Sequence, residues 1–485
     1  MRRGMLILTI VLIIIESSLI IISQFCRIPE WYSFIIGCVL IIDIAFLLRG
    51  SYAPITKRVI ALLSVISISW SVFSAYALPY WNSIIFRDIA GMEYPKSMDL
   101  DASLSREDAM ADWTFALHQL VKVHPALLEQ AEKKDSLRRI RLFVDNPDSI
   151  SVSELYRQLQ RIAASFHDAH TQVFPVTDPQ LADFSSYGEI RSINGVKDED
   201  FVSTFGKYIS SETPAWTQLR ISESIHTYDG LKLFGCFDAD SVAISFVSPD
   251  AAMGTQIFRK DDFRPVHART VHSLSSDRFG MYAFDDAVSC GILTLENCYY
   301  YTPAQRRKFN RGMRDFFRQM AERQCKRLVI DVRNNPGGNV WIAEELFRYF
   351  PVVQYEMGER YHRFFSFMLG GKRVRRNRVY RDLFFKGEVY VLTSLSTFSG
   401  AMHLADYLQG NQMAKVVGES PGNTPTCYTN ITHFVLPHSK LSLTISTGKF
   451  VRTDGTRREN LLKPDIPCDA KTAYETLKQH IIEAL

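Results

Sequence analysis

The run Arg327-Leu-Val-Ile-Asp-Val-Arg-Asn-Asn-Pro-Gly-Gly-Asn339 is a β-branched strand that breaks into a proline–glycine turn. A second run, Val389-Tyr-Val-Leu-Thr-Ser-Leu-Ser-Thr-Phe-Ser-Gly-Ala-Met402, leads from an apolar strand into the mouth of a helix. Strand and helix alternate in this way through the last two hundred residues, which constrains that part of the chain to an α/β core. Strands are expected at Gly291–Leu295, Leu328–Val332, Val389–Thr393, Lys415–Val417 and Leu441–Ser446. Helices are expected at Pro303–Gln324, Val340–Phe350 and Ser399–Leu408.

At 485 residues the chain is too long for one core. Met92 to Phe174 reads as helical. Leu155, Leu159, Ile162 and Phe166 recur at helical spacing behind a Ser151 or Ser153 cap, and an earlier helix at Glu107–Leu128 is interrupted near His124-Pro125. Short strands such as Glu189–Gly195 and Ser241–Phe246, separated by turn residues, predict a small β-rich insert. The expected division is an anchor at 1–85, a helical subdomain at 90–174, the insert at 175–280 and the α/β core at 281–485. No internal repeat is present. The basic run Lys372–Arg381 reads as a solvated loop. As a binding element it would suit an anionic surface.

Three apolar stretches, Met5–Phe25, Tyr32–Leu48 and Val59–Trp81, approach the ~20 residues that span a bilayer, so three transmembrane helices are expected. Arg2, Arg3, Arg49, Lys57 and Arg58 place the N-terminus in the cytoplasm and everything after the third span outside. Glu16 and Asp43 would then need a partner helix or a proton. Ala75-Tyr-Ala77 leaves open a release of the outer part by cleavage. The net charge of +4 gives no case for nucleic-acid binding, and no zinc-finger, Walker or dinucleotide pattern occurs. The eight cysteines match no disulfide framework and read as buried thiols.

Chemistry points to Ser399. It stands at the N-terminus of a helix whose apolar stripe is Ala401, Leu404, Ala405 and Leu408, beside free amides and the positive end of the dipole. Such a serine is ordinarily an N-cap; Thr397 is an alternative cap that would leave Ser399 free. Gly337-Gly338 would present backbone amides at the end of the neighbouring strand. A hydroxyl and preorganised donors are what acyl transfer requires. A base is also needed, and His170 in Ser165-Phe-His-Asp-Ala-His-Thr-Gln172 is the first candidate. His403, one turn beyond Ser399, competes with it, although a surface histidine is the plainer reading. His167 and His170 have a metal-like spacing without further ligands nearby; His118 and His124 read as structural.

Several ordered motifs carry a resemblance. Arg333-Asn-Asn-Pro-Gly-Gly338, Thr397-Phe-Ser-Gly-Ala401, Gly418-Glu419, and Glu459 followed by Lys463-Pro-Asp-Ile466 resemble the C-terminal-processing (tail-specific) serine peptidase family. Asp168-Ala-His-Thr171 is similar to the Asp-Gly-His-Thr element of its branch related to the tricorn core. The resemblance covers about Ala111 to Ile466 and implies a crotonase-like α/β spiral with a helical N-terminal subdomain. It implies Ser399 as nucleophile, His170 as base and Glu459 as the group orienting the histidine or its neighbours. Gly338 and Gly400 would donate to the oxyanion, with Gly337 shaping the turn. The family's dyad branch has a lysine after its Gly-Glu pair; this chain reads Ser420-Pro-Gly-Asn-Thr424, which favours the histidine mechanism. Ile190–Gly195 resembles one strand of a PDZ module, without its carboxylate-binding loop.

The resulting expectation is a multi-pass, membrane-anchored serine peptidase with its catalytic domain outside the membrane. It would act on peptide or protein substrates and need neither metal nor organic cofactor. The alternatives are a catalytically inactive, peptidase-like binding or sensor protein, and a scaffold at an anionic surface.

Overall fold

The side chains of Ser105 and Ser151 each accept the amide three residues on, from Asp108 and Glu154. They thereby start α1 (Arg106–Val123) and α2 (Val152–Ala164). The computed structural model describes residues 95–143, 148–237, 240–248, 252–265, 281–298, 303–364 and 366–484. α1 ends at His124 because the residue before a proline is forced out of the helical region, and His124 is extended. Strand β1 (Gln172–Phe174) follows α2 after a short loop.

In the insert, β2 (Glu189–Ile193), β3 (Val196–Lys197), β4 (Ser241–Val247) and β5 (Met253–Arg259) form an antiparallel sheet in the order β3-β2-β4-β5. Val242, Ile244 and Phe246 alternate into its buried face. Between β3 and β4 lie α3 (Pro214–Ser224), capped by Thr213, and α4 (Tyr228–Leu233). A single apolar cluster joins these parts. It contains Trp113 of α1, Leu155 and Leu159 of α2, Ile193 of β2, Ile244 of β4 and Leu443 of a distant strand.

The second half is built on a six-stranded sheet. Its strands are β6 (Tyr282–Asp285), β7 (Cys290–Thr294), β8 (Arg327–Asp331), β11 (Glu388–Thr393), β12 (Lys415–Gly418) and β15 (Ile466–Pro467), in that spatial order. Only the β6–β7 pair is antiparallel. Both faces are covered, as a parallel sheet requires. Leu328, Ile330 and Val391 point to one core with α5 (Pro303–Glu322), α6 (Trp341–Phe347) and α7 (Gly400–Gly410). Val329, Tyr390 and Leu392 point to the other, under α8 (Ala473–Glu483).

A second, antiparallel sheet packs alongside. Its order is β10 (Phe367–Arg376), β9 (Gln354–Phe364), β14 (Ser442–Val451), β13 (Cys427–Val435), and β1 also pairs with β14. The basic run expected to be a loop is therefore in part a strand, since Lys372–Arg376 closes β10 at the sheet edge. Its side chains are largely exposed, so no apolar alternation marks it in the sequence.

The expectation of a multi-pass membrane protein is corrected by the helices. Among the described residues none is both long and apolar enough to cross a bilayer. α5 has the length, 20 residues, but Arg306, Arg307, Arg311 and Arg314 would each cost roughly 2.5 to 3.5 kcal/mol at the centre of a membrane. Met5–Phe25, Tyr32–Leu48 and Val59–Trp81, with Glu16 and Asp43, lie outside the described residues. The described fold is mixed α/β without a spanning part, and it supports neither a bilayer partner nor an outward orientation.

Asp112 ties the two halves together. Its buried carboxylate accepts the amides of His438 and Ser439, both at 2.8 Å, in the turn between β13 and β14. Asp112→Ala is expected to lose on the order of 3 kcal/mol in urea unfolding, because two amides lose a charged acceptor. Asp112→Asn, which keeps one acceptor oxygen, should lose less. An Asp112→Ala protein with an unchanged unfolding midpoint would contradict this account.

Candidate active site

Adjacent parallel strands deliver two turns to one place. β8 pairs with β11 in a register that sets Asp331 opposite Leu392, so both chains leave the sheet at the same level. The turns are then stitched together. Thr397 Oγ1 donates to the Val332 carbonyl at 2.8 Å, the Phe398 amide donates to the Asn335 carbonyl at 3.0 Å, and Ser394 Oγ donates to the Arg333 carbonyl. Thr397 is thus spent on the neighbouring strand, and Ser399 occupies the N-cap position without a side-chain cap bond. Its φ of 50° and ψ of −118° lie outside the ordinary basins.

The glycines fit this junction because nothing larger would. A Cβ on Gly337 (φ +99°) would lie 2.6 Å from the Gly400 nitrogen. A Cβ on Gly338 (φ +130°) would lie 2.6 Å from the Cys298 carbonyl carbon and oxygen. Gly400 in turn would drive a Cβ to 2.6 Å from the Gly338 oxygen. The turn and the start of α7 are in backbone contact. Gly400 also opens its helix, where an amide has no carbonyl one turn earlier. The amide of Ser399 itself donates to Asn423 Oδ1 at 2.8 Å. Asn423 comes from Ser420–Thr424, the segment that reads without a lysine, and no local pattern there marks this role.

His170 arrives from the other half of the chain. Its Nε2 lies 3.0 Å from Ser399 Oγ, across 229 positions of sequence. Two anchors hold its loop. β1 pairs with β14, Thr444 Oγ1 donates to the His170 carbonyl at 2.8 Å, and the Ser446 amide donates to Thr171 Oγ1 at 3.0 Å. The ring also packs against Phe398, with centroids 5.0 Å apart, and Phe398 stacks on Trp216 of α3 at 4.8 Å.

Beneath the imidazole lies a buried carboxylate, Asp168. Its Oδ1 accepts the His170 amide at 3.0 Å; its Oδ2 accepts Thr171 Oγ1 at 2.6 Å and meets His124 Nε2 at 3.2 Å. The Ala126 amide donates to His124 Nδ1 at 3.1 Å, so Nε2 is the protonated nitrogen and donates to Asp168. Burial would raise the Asp168 pKa, but the two histidines outweigh it and hold the group well below the carboxylate range. Burial lowers His124 and keeps it neutral. His124 is therefore a member of this network, a role its sequence context did not disclose.

Glu212, absent from the sequence-based candidates, completes the cluster. Its Oε1 accepts the Ala169 amide at 3.2 Å. Burial and repulsion from Asp168 push its pKa up to about 7. Burial also acts to lower His170, but Asp168 and Glu212 outweigh it and raise the imidazole above 6.5. Asp168, His170 and Glu212 bring one donor atom each within 4.8 Å of one another, a spacing a metal ion could bridge. Asp168 already gives both oxygens to protein donors, so the cluster reads as a hydrogen-bond network.

The remaining candidates fall elsewhere. Glu459 is exposed and ion-paired with Lys463, and among the described residues no contact joins it to His170. His403 is not a surface residue. It is buried against Cys427, Tyr407 and Phe450, and burial lowers its pKa to about 3. Glu419 accepts the amides of Leu395 and Ala470, holding the loop before Ser399. His167 is exposed at the edge of a cavity of about 730 Å³. Glu212, Pro214, Leu395, Pro421 and Leu461 also line that cavity, which adjoins the cluster.

Residues 289–468 match the family model of peptidase family S41. The chain carries an S41 peptidase domain. It is a serine-type peptidase. Among solved structures it is similar to mature CPAF complexed with lactacystin, at 11% identity over 78% of this chain and 97% of that one, with a TM-score of 0.52. Mature CPAF alone gives 12% identity over 78% and 96%, with a TM-score of 0.53. Identities this low speak for the fold. No curated protein matches the chain.

Two outcomes follow for the S41 domain. Gly400→Ala, which forces a Cβ into the Gly338 backbone, should slow reaction with a fluorophosphonate by about 100-fold or more while circular dichroism stays that of the wild type. The pH dependence of that reaction has a definite sign. A base must be neutral to accept a proton, and the carboxylates hold His170 protonated to higher pH. The rate should therefore rise with pH, with its midpoint above 6.5; a midpoint below that value would contradict the assigned surroundings of His170.

Proposed function

We propose that this chain hydrolyses peptide bonds of peptide or protein substrates through an acyl-enzyme on Ser399. Ser399 Oγ attacks the scissile carbonyl while His170 Nε2 takes its proton. The tetrahedral oxyanion is held by the amides of Gly338 and Gly400, with Gly337 keeping the turn against them. Collapse expels the amine, which recovers the proton from His170, and a water activated by the same nitrogen releases the acid. Glu459 has no part in this scheme, because an exposed carboxylate paired to a lysine is not placed to orient a buried ring.

The observation that carries the proposal is the 3.0 Å contact between His170 Nε2 and Ser399 Oγ beside the glycine turn. The backbone of Ser399 adds to it. A non-glycine residue at φ of 50° with this ψ costs about 1–3 kcal/mol, and a site without chemistry has no need to sustain that. A fluorophosphonate probe should label the wild-type chain. Ser399→Ala should not label, and His170→Ala should label about 1000-fold more slowly. Labelling of Ser399→Ala at the wild-type rate would refute the assignment of the nucleophile.

A further inference from the structure

We propose that Glu212, carried by the β-rich insert, is a positioning residue for this peptidase. Its carboxylate accepts a hydrogen bond from Nδ1–H of His170 and keeps Nε2 turned toward Ser399. The inference rests on the reading of Ser399 and His170 as nucleophile and base.

The argument begins with the tautomer. If Nε2 is to accept a proton from Ser399, Nδ1 must carry the ring's hydrogen, and a buried N–H needs an acceptor. Asp168 is the neighbour in sequence, but its Oδ1 is 3.6 Å from Nδ1, beyond hydrogen-bond distance. Both of its oxygens are already engaged by His124, Thr171 and the His170 amide. Among the described residues, His170 Nδ1 and Glu212 Oε2 are both buried atoms without a hydrogen bond of regular geometry, and the only other acceptor beside the ring is the Tyr428 backbone. Nδ1 is a donor and Oε2 an acceptor, and a ring nitrogen of His170 and a carboxylate oxygen of Glu212 lie within 4.8 Å of each other. A small approach, or one bridging water, satisfies both.

Glu212 is also fixed where it stands. Ser210 Oγ donates to the Thr171 carbonyl at 2.6 Å, and Thr213 Oγ1 donates to the Gly422 carbonyl at 3.1 Å. The chain on either side of Glu212 is thus tied to the histidine loop and to the segment whose Asn423 holds Ser399. The titratable groups facing the imidazole are Asp168 on its own loop, His124 behind it, His403 from α7, Cys427 from β13 and Glu212. Lys449, across the cavity from Glu212, is engaged by Glu129. During attack the proton from Ser399 moves to Nε2, and the imidazolium shares its Nδ1 proton with Glu212. That proton stays on the ring when Nε2 protonates the leaving amine. The insert thereby contributes to the site, and a shift of α3 would carry the carboxylate away from the histidine.

The test compares fluorophosphonate labelling rates of the full chain, in chelator, across pH. Glu212→Gln should label about 10–100-fold more slowly, with an acidic midpoint lower than wild type because a negative charge beside the ring is gone. Glu212→Asp, which keeps the charge, should recover part of the rate and the midpoint. A Glu212→Gln chain with wild-type rate and midpoint, alongside an unlabelled Ser399→Ala, would overturn this inference alone. A labelled Ser399→Ala would instead remove the reading beneath it. Should Glu212→Gln fail to fold, the Nδ1 proton of His170 in ¹⁵N-histidine wild type remains to be measured. It should resonate far downfield and move in Glu212→Asp; a resonance unaffected by Glu212→Asp would also overturn the proposal.

Discussion

Everything at the site depends on three residues, Gln172–Phe174, adding to the edge of β14. That pairing fixes the loop in front of it and sets His170 over a serine from the other sheet. Backbone ladders are suited to this task. They are directional and cooperative, and a slip of one residue would turn every side chain to the opposite face. The β8–β11 register does the same for Ser399 and the glycine turn. Two ladders, one parallel and one antiparallel, therefore define the distance between the Ser399 hydroxyl and the His170 imidazole.

The second constraint is electrostatic. Two carboxylates close to one imidazole in a buried place cannot both ionise at ordinary pH without help. Asp168 receives that help from histidines and a threonine hydroxyl, so it carries the charge. Glu212 receives less and is pushed upward. The site therefore holds one permanent negative charge and one that changes near neutrality, and His170 responds to both.

Much of the fold could be read from local pattern. The expected strands at 328–332 and 389–393 lie within one residue of β8 and β11. The helix expected at Ser399–Leu408 begins at Gly400. These elements are buried and strongly patterned, so periodicity reports them faithfully. The hairpin of β9 and β10 escaped for the opposite reason: its outer strand is exposed on both faces and full of arginine. His403 was read as a surface group because helical spacing alone does not say which side of α7 faces the second sheet. The three apolar stretches that read as membrane spans lie outside the described residues, and among those residues no helix is long and apolar enough to cross a membrane.

By itself the sequence determined the strand–turn–helix units, the serine at a helix start, the paired glycines and a histidine in an Asp-Ala-His-Thr setting. Each is a local property, written in neighbours a few positions apart. Tertiary structure decided which histidine meets Ser399, that Glu459 is left in solvent, and that Asp168, His124 and Glu212 gather around His170. Those choices come from strand pairing between segments more than two hundred residues apart and from burial of charges beside one another. Neither leaves a periodic trace in the chain.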